Sequence, residues 1–443
     1  MNLKSLLFGS AAVLAAGTGA QAADLPVAEP VEYVRICDAF GTGFYYIPGT
    51  DTCLRISGRV RVEAHYVDQW GDDDDDDDDD DGDGDILLGG VDQNTNNYTT
   101  RARGNMRLDA RTQTDLGLIR AFAEFQVTVG PGNKTGSQSE EGAFDGSANY
   151  DSAGVDLSAA FIQISNDAGT FTAGHTGSFF DFFGSLGFGT RINIDDNTTE
   201  QTLFAYTFGG GNGFGATLSL EDPASSGRRL NGEDDYEGQE WPDLVGNIRV
   251  DQGWGSAQIM GVLHHIHDKE GVDVLGDAGE GEDDDDQLGW ALGAGASFKV
   301  AGLGFSAQGG YADGALGYIT TDPGGVGDLT DEEGESETNT AWNIRAGVSA
   351  EFSPTLTGQV DASYTDVDSD DDDDDDDDDE GYQFWGAKAT LIWSPVSGLI
   401  MGPEVAYNHI SCDGDACAAV AGDENDDQED DVWGVMWRIQ RDF

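Results

Sequence analysis

Arginine recurs at alternating positions in the first third of the chain: Arg101, Arg103, Arg107 and Arg111 share one parity with Asn105 and Asp109, while Ala102, Gly104, Met106, Leu108 and Ala110 take the other. Upstream, Arg55, Arg59, Arg61, Glu63 and His65 oppose Leu54, Ile56, Val60 and Val62. Downstream, Arg120, Glu124, Gln126 and Thr128 oppose Ile119, Ala121, Phe125 and Val127, with Leu118 and Phe122 as exceptions on the polar side. Fixed guanidiniums in a row can steer charged and dipolar solutes and repel apolar ones. Bond-making chemistry needs a nucleophile beside a base, and the six histidines form no such pair. His264, His265 and His267 cluster, in a setting that suits packing better than metal binding.

Period-two alternation demands β-strands with one wet and one apolar face. A soluble sheet rarely crowds arginines on one face, because neighbouring like charges repel unless water and counter-ions surround them. A strand between lipid and a water-filled lumen meets that condition.

Amphipathic stretches from Cys53 to Phe443 number sixteen: 53–66, 98–112, 117–129, 156–165, 169–175, 201–208, 213–222, 243–251, 255–267, 287–299, 303–314, 340–352, 355–366, 381–393, 398–410 and 431–443. Short connections such as 209–213, 252–255, 353–355 and 394–397 alternate with long acidic ones. An even strand count with short turns on one rim and long loops on the other predicts an all-β, antiparallel transmembrane barrel. Trp254, Trp290, Trp342, Trp385, Trp393 and Trp433 fall near strand ends, as membrane-boundary aromatics do. Pro403, inside a strand, cannot donate to the ladder, so a bulge or a lost bond is expected there.

The 443-residue chain opens like an exported protein, with Lys4, an apolar run from Leu6 to Ala16, and Ala20-Gln21-Ala22 as the cleavage site, so residues 1–22 read as a signal peptide. No later run reaches the ~20 apolar residues of a spanning helix. Residues 23–52 form an N-terminal segment before the 53–443 barrel. Outside the cytoplasm, Cys37 with Cys53 and Cys412 with Cys417 read as two local disulfides.

Residues 29–58, with Arg35-Ile-Cys-Asp-Ala-Phe-Gly-Thr-Gly-Phe-Tyr-Tyr at their centre, closely resemble the mature start of the alphaproteobacterial porins, the Brucella and Rhizobium general outer-membrane porins. Residues 169–174, 178–182, 242–250, 403–405 and the Arg438-x-x-Arg441-x-Phe443 terminus also match. The resemblance implies a sixteen-stranded, usually trimeric channel in a Gram-negative outer membrane, passing small hydrophilic solutes and ions. It implies that the third loop, here within 175–200, folds into the lumen. That segment carries Asp181, Asp195, Asp196 and Glu200, with Arg191 among them, and would face a wall of Arg55, Arg59, Arg61, Arg101, Arg103, Arg107, Arg111, Arg120 and Glu124. Such an arrangement is a transverse field and a filter without a binding site. The terminal Phe443 resembles the signal read by the outer-membrane assembly machinery.

Asp72 to Asp81 is unbroken aspartate, and acidic tracts at 71–85, 282–286 and 368–380 account for much of the net charge of -65. Crowded carboxylates suit loosely held Ca2+ or Mg2+, with bridging to anionic lipopolysaccharide at the membrane surface. Asp81, Asp83 and Asp85 imitate the start of a calcium loop, but Ile86 stands where the turn needs glycine. No other cofactor and no nucleic-acid partner is expected. A surface cation-binding or adhesion protein anchored by a closed barrel is the alternative.

Overall fold

The computed structural model describes residues 35–70, 97–130, 154–189, 192–230, 239–267, 287–323, 325–332, 335–369, 381–413 and 428–443. Sixteen strands form one antiparallel barrel. They are β1 (Cys53–Trp70), β2 (Tyr98–Thr114), β3 (Gly117–Val129), β4 (Gly154–Asn166), β5 (Gly169–Gly177), β6 (Glu200–Gly211), β7 (Phe214–Glu221) and β8 (Asp243–Gln252). The circuit continues with β9 (Gly255–Ile266), β10 (Gln287–Val300), β11 (Leu303–Asp313), β12 (Thr340–Ser353), β13 (Leu356–Asp368), β14 (Gly381–Val396), β15 (Leu399–Asp413) and β16 (Gln428–Asp442). Each strand pairs with its sequence neighbours, and β16 returns to β1 with Ile439 opposite Val62 and Val435 opposite Tyr66. Closure leaves no free sheet edge, which an apolar surround requires.

All sixteen predicted stretches are strands, several of them longer than alternation suggested. Every turn on one rim holds two residues. At Asn212-Gly213 and Ala301-Gly302 both residues have positive φ, the mirror-image geometry that matches strand twist. The turn expected at 394–397 lies instead at 397–398, because β14 continues through Pro395 to Val396 with a register shift after Trp393. Pro403 acts as expected: Leu391 and Ile392 drop out of the β14–β15 pairing opposite it and Gly402.

The apolar parity faces outward, where Val60 and Val62 stay about half exposed at 52% and 53%. The polar parity faces inward, where Glu63 is 1% exposed. Near the long-loop rim an outward aromatic row runs through Trp290, Tyr311, Trp342, Tyr364, Trp385, Tyr407 and Trp433, with ring centres 4.5 to 5.6 Å apart within its contacting pairs. Tyr66 and Tyr98 extend it across β1 and β2. On β3, β4, β7, β8 and β9 the outward residues toward that rim are Val129, Val155, Leu220, Leu244 and Leu263.

At the turn rim, residues 35–52 pack under β1. The Cys37–Cys53 disulfide ties them down, and Tyr45 and Tyr46 pair with Leu54 and Cys53. Cys412 is also disulfide-bonded. Cys417, the signal stretch and the tracts at 71–85 and 282–286 lie outside the described residues, as does 370–380 of the third tract.

Candidate functional site: the lumen

Two connections fold into the barrel. Residues 178–199, between β5 and β6, run along the inner face of β8–β16. The described residues of this segment, 178–189 and 192–199, lack regular structure, so their backbone groups need side-chain partners. Asn247 and Gln258 donate to the Phe179 carbonyl, and Gln308 Oε1 accepts from the Phe182 and Phe183 amides, both at 2.8 Å. Asp361 accepts from Leu186 and Gly187 at 2.9 and 3.1 Å, and Glu404 from Phe188 at 2.5 Å. Lys388 and Asn408 donate to Asn193, and Arg345 donates to the Phe183 carbonyl at 2.5 Å. The wall thus carries a polar cast of the loop.

The second insertion, residues 314–339 between β11 and β12, was not foreseen. Leu316, Tyr318 and Ile319 join Phe180, Val245, Met260 and Ala291 in an apolar cluster inside the barrel. Arg228, 1% exposed, ties both insertions together by pairing with Asp181 at 2.5 Å and donating to the Gly317 carbonyl at 2.7 Å. The neighbouring Asp181 carboxylate raises the Arg228 guanidinium pKa, against the opposing effect of its complete burial.

The inner face of β1–β3 is charged differently. Glu63 gathers Arg101 at 2.6 Å, Arg438 of β16 at 2.5 Å and Arg61 at 3.3 Å. Asp109 gathers Arg111 at 2.8 Å, Arg120 at 3.1 Å and Arg55 at 3.8 Å. Glu124 holds Arg107 at 2.7 Å and Arg59 at 3.9 Å. Arg103 donates to Thr128 at 2.8 Å. Eight guanidiniums share three carboxylates and Arg103 meets none, leaving six positive charges in excess in this group of nine arginines. Phe122, the exception in the β3 pattern, stacks on Phe161 at 5.1 Å, and Arg120 lies over both rings. Phe44 of the N-terminal segment is covered by Arg55 and Arg111, each about 5 Å from its ring centre.

The loop acids take other partners than those expected. Asp195, 2% exposed, accepts from Thr321, Asn343 and Thr365. Asp181 pairs with Arg228, Asp196 bonds Thr198, and Glu200 begins β6 with its side chain exposed. Among the described residues no ion pair joins these four acids to an arginine of β1–β3. Asp181 and Asp196 also accept the loop's own Thr199 and Thr198 amides, whereas Asp195 is held by the second insertion and the far wall. Arg191, Asp81, Asp83 and Asp85 lie outside the described residues. Buried His264 bonds Asp243 at 2.8 Å, and no cluster of three metal-ligating side chains occurs among the described residues.

Sequence parity marked Glu63 and Asp109 as inward but not as shared acceptors, since that depends on which strand lies opposite. Arg438 is visible in the sequence only as part of the terminal motif, because the outward parity of β16 carries its aromatic and aliphatic residues and the inward one gives no arginine row. Arg228 lies beside Arg229 between strands, and Arg345 and Lys388 are the single basic residues of β12 and β14, so none of the three gave a pattern.

A closed sixteen-strand barrel with an inward loop and a charged lumen defines the porin class of membrane channel. Residues 24–436 match the family described as "Porin subfamily", and the chain belongs to that family. It is 29% identical over 462 residues to porin Omp2b of Brucella suis, covering 100% of both chains. It is 29% identical over 451 residues to porin Omp2b of Brucella abortus strain 2308, again over 100% of both. In fold it is similar to the outer membrane channel DcaP of Acinetobacter baumannii, with TM-score 0.61, 16% identity, and coverage of 90% of this chain and 99% of that one. The trimer form of OmpT from Vibrio cholerae gives TM-score 0.51 at 10% identity, covering 88% and 100%. Its place is the outer membrane.

Proposed function

We propose that the protein is a general diffusion porin whose passage runs between the 178–199 loop and the arginine-bearing face of β1–β3. Both insertions pack on the far wall, and this placement carries the reading. Solutes then cross beside fixed positive charge, where dipolar molecules are oriented and apolar ones are disfavoured. Family membership supports a channel rather than a catalyst.

The working unit is a homotrimer. Tryptophan and tyrosine mark lipid headgroup levels. The arc from β3 to β9, where Val and Leu stand toward the long-loop rim on β3, β4 and β7 to β9, is the face turned to its copies. The acidic tracts collect Ca2+ or Mg2+ diffusely at the outer mouth, next to lipopolysaccharide, and Phe443 is offered to the assembly machinery.

Single-channel recording in planar bilayers under a KCl gradient tests this. Stepwise currents are expected. A folded, heat-modifiable barrel that never conducts would sink the channel reading in favour of a cation-binding surface anchor.

A further inference from the structure

We infer that the lumen holds a binding site for small oxyanions at Arg61 and Arg103, an inference that rests on the channel reading above. The two arginines are direct cross-strand partners in the β1–β2 register. Like charges placed opposite each other destabilise a sheet unless something neutralises them. The nearby carboxylate, Glu63, is already shared with Arg101 and Arg438. Arg61 lies 3.3 Å from it, yet its buried Nε makes no hydrogen bond. Arg103 bonds only the Thr128 hydroxyl and meets no carboxylate among the described residues.

Position makes this cluster more than structural. The Arg438 guanidinium lies 4.7 Å from the Phe188 ring centre and reaches the Gly189 carbonyl at 3.5 Å. The cluster therefore sits level with the loop segment that lines the passage. Asp181 and Asp195 of the loop, which could cancel its charge, are occupied elsewhere. Arginine forks match the paired oxygens of phosphate, sulfate or a carboxylate better than they match chloride. An anion bridging Arg61 and Arg103 would complete a charge balance that the protein leaves open.

The test is to titrate inorganic phosphate into KCl while recording open channels, scaling each variant to its own phosphate-free current. Phosphate is expected to reduce the wild-type current. Arg103→Gln alone, and Arg61→Gln with Arg103→Gln, are expected to raise the half-blocking concentration about tenfold or more, the loss of a charge-assisted contact. Arg441→Gln, on the outer parity, is expected to match the wild type. Conducting channels that phosphate leaves unblocked, or that block equally in the variants, overturn the site. A folded barrel with no KCl current overturns the channel reading instead.

Discussion

Arg438 of the last strand and Glu63 of the first meet at 2.5 Å inside the barrel, across the seam where the sheet closes on itself. One ion pair thus joins the first and last strands of the barrel and also sets the charge beside the constricting loop. Removing its acid strands three guanidiniums. Glu63→Gln is expected to destabilise the barrel by about 3–5 kcal/mol, the cost of breaking a buried pair. Urea unfolding in lipid vesicles measures it; an unchanged midpoint contradicts the shared role assigned to Glu63.

Gln308 accepts two loop amides through one oxygen. Gln308→Leu leaves both without that partner, at about 1–3 kcal/mol each. The loop should loosen while the barrel persists. Larger and noisier single-channel currents are expected, and wild-type current traces would count against this anchoring.

Asp322 lies in the second insertion, where burial raises its carboxyl pKa above the usual 3.8. Its folded pKa exceeds its unfolded one, so ionisation costs the folded state. Stability should fall as pH rises from the unfolded value to the raised folded value, then level off. Asp322→Asn should flatten that stretch of a stability-against-pH curve. A variant curve parallel to the wild type throughout would refute the assignment.

Reducing Cys37–Cys53 frees the segment holding Phe44 between Arg55 and Arg111. The bond closes a short loop and contributes on the order of 3 kcal/mol. After reduction, limited proteolysis should cut residues 35–52 faster while the barrel stays heat-modifiable. Equal cutting rates would show that packing alone holds the segment.

If the arc from β3 to β9 faces the other copies, Leu220→Lys should convert a trimer to monomers on unheated gels. Leu391→Lys, an outward change on β14, should leave the trimer intact, although each lysine costs the barrel up to ~2–4 kcal/mol in the bilayer. The opposite pattern would move the interface to β14.

The barrel was legible because alternation is local: each strand announces its two faces without reference to its neighbours. The lumen was less so. Asp195 is plainly acidic and plainly in the inward loop, but its direction follows from Thr321 and Thr365, which are distant in sequence. The 314–339 insertion carries no period, and its burial depends on Arg228 and Asp243 reaching Gly317 and Tyr318. The joint role of Glu63 required the β16–β1 register, which no single strand encodes.

The backbone of Phe443 exchanges two hydrogen bonds of 2.9 Å with Gly58, and a side chain at Gly58 would run into the Phe443 ring and the Asn105 carbonyl. Phe443 is thus tied by its backbone into the first strand. A chain cut short during synthesis cannot become a narrower version of the same channel; it remains an open sheet with two raw edges. Closure is thereby all-or-none: the sheet seals only when β16 reaches β1.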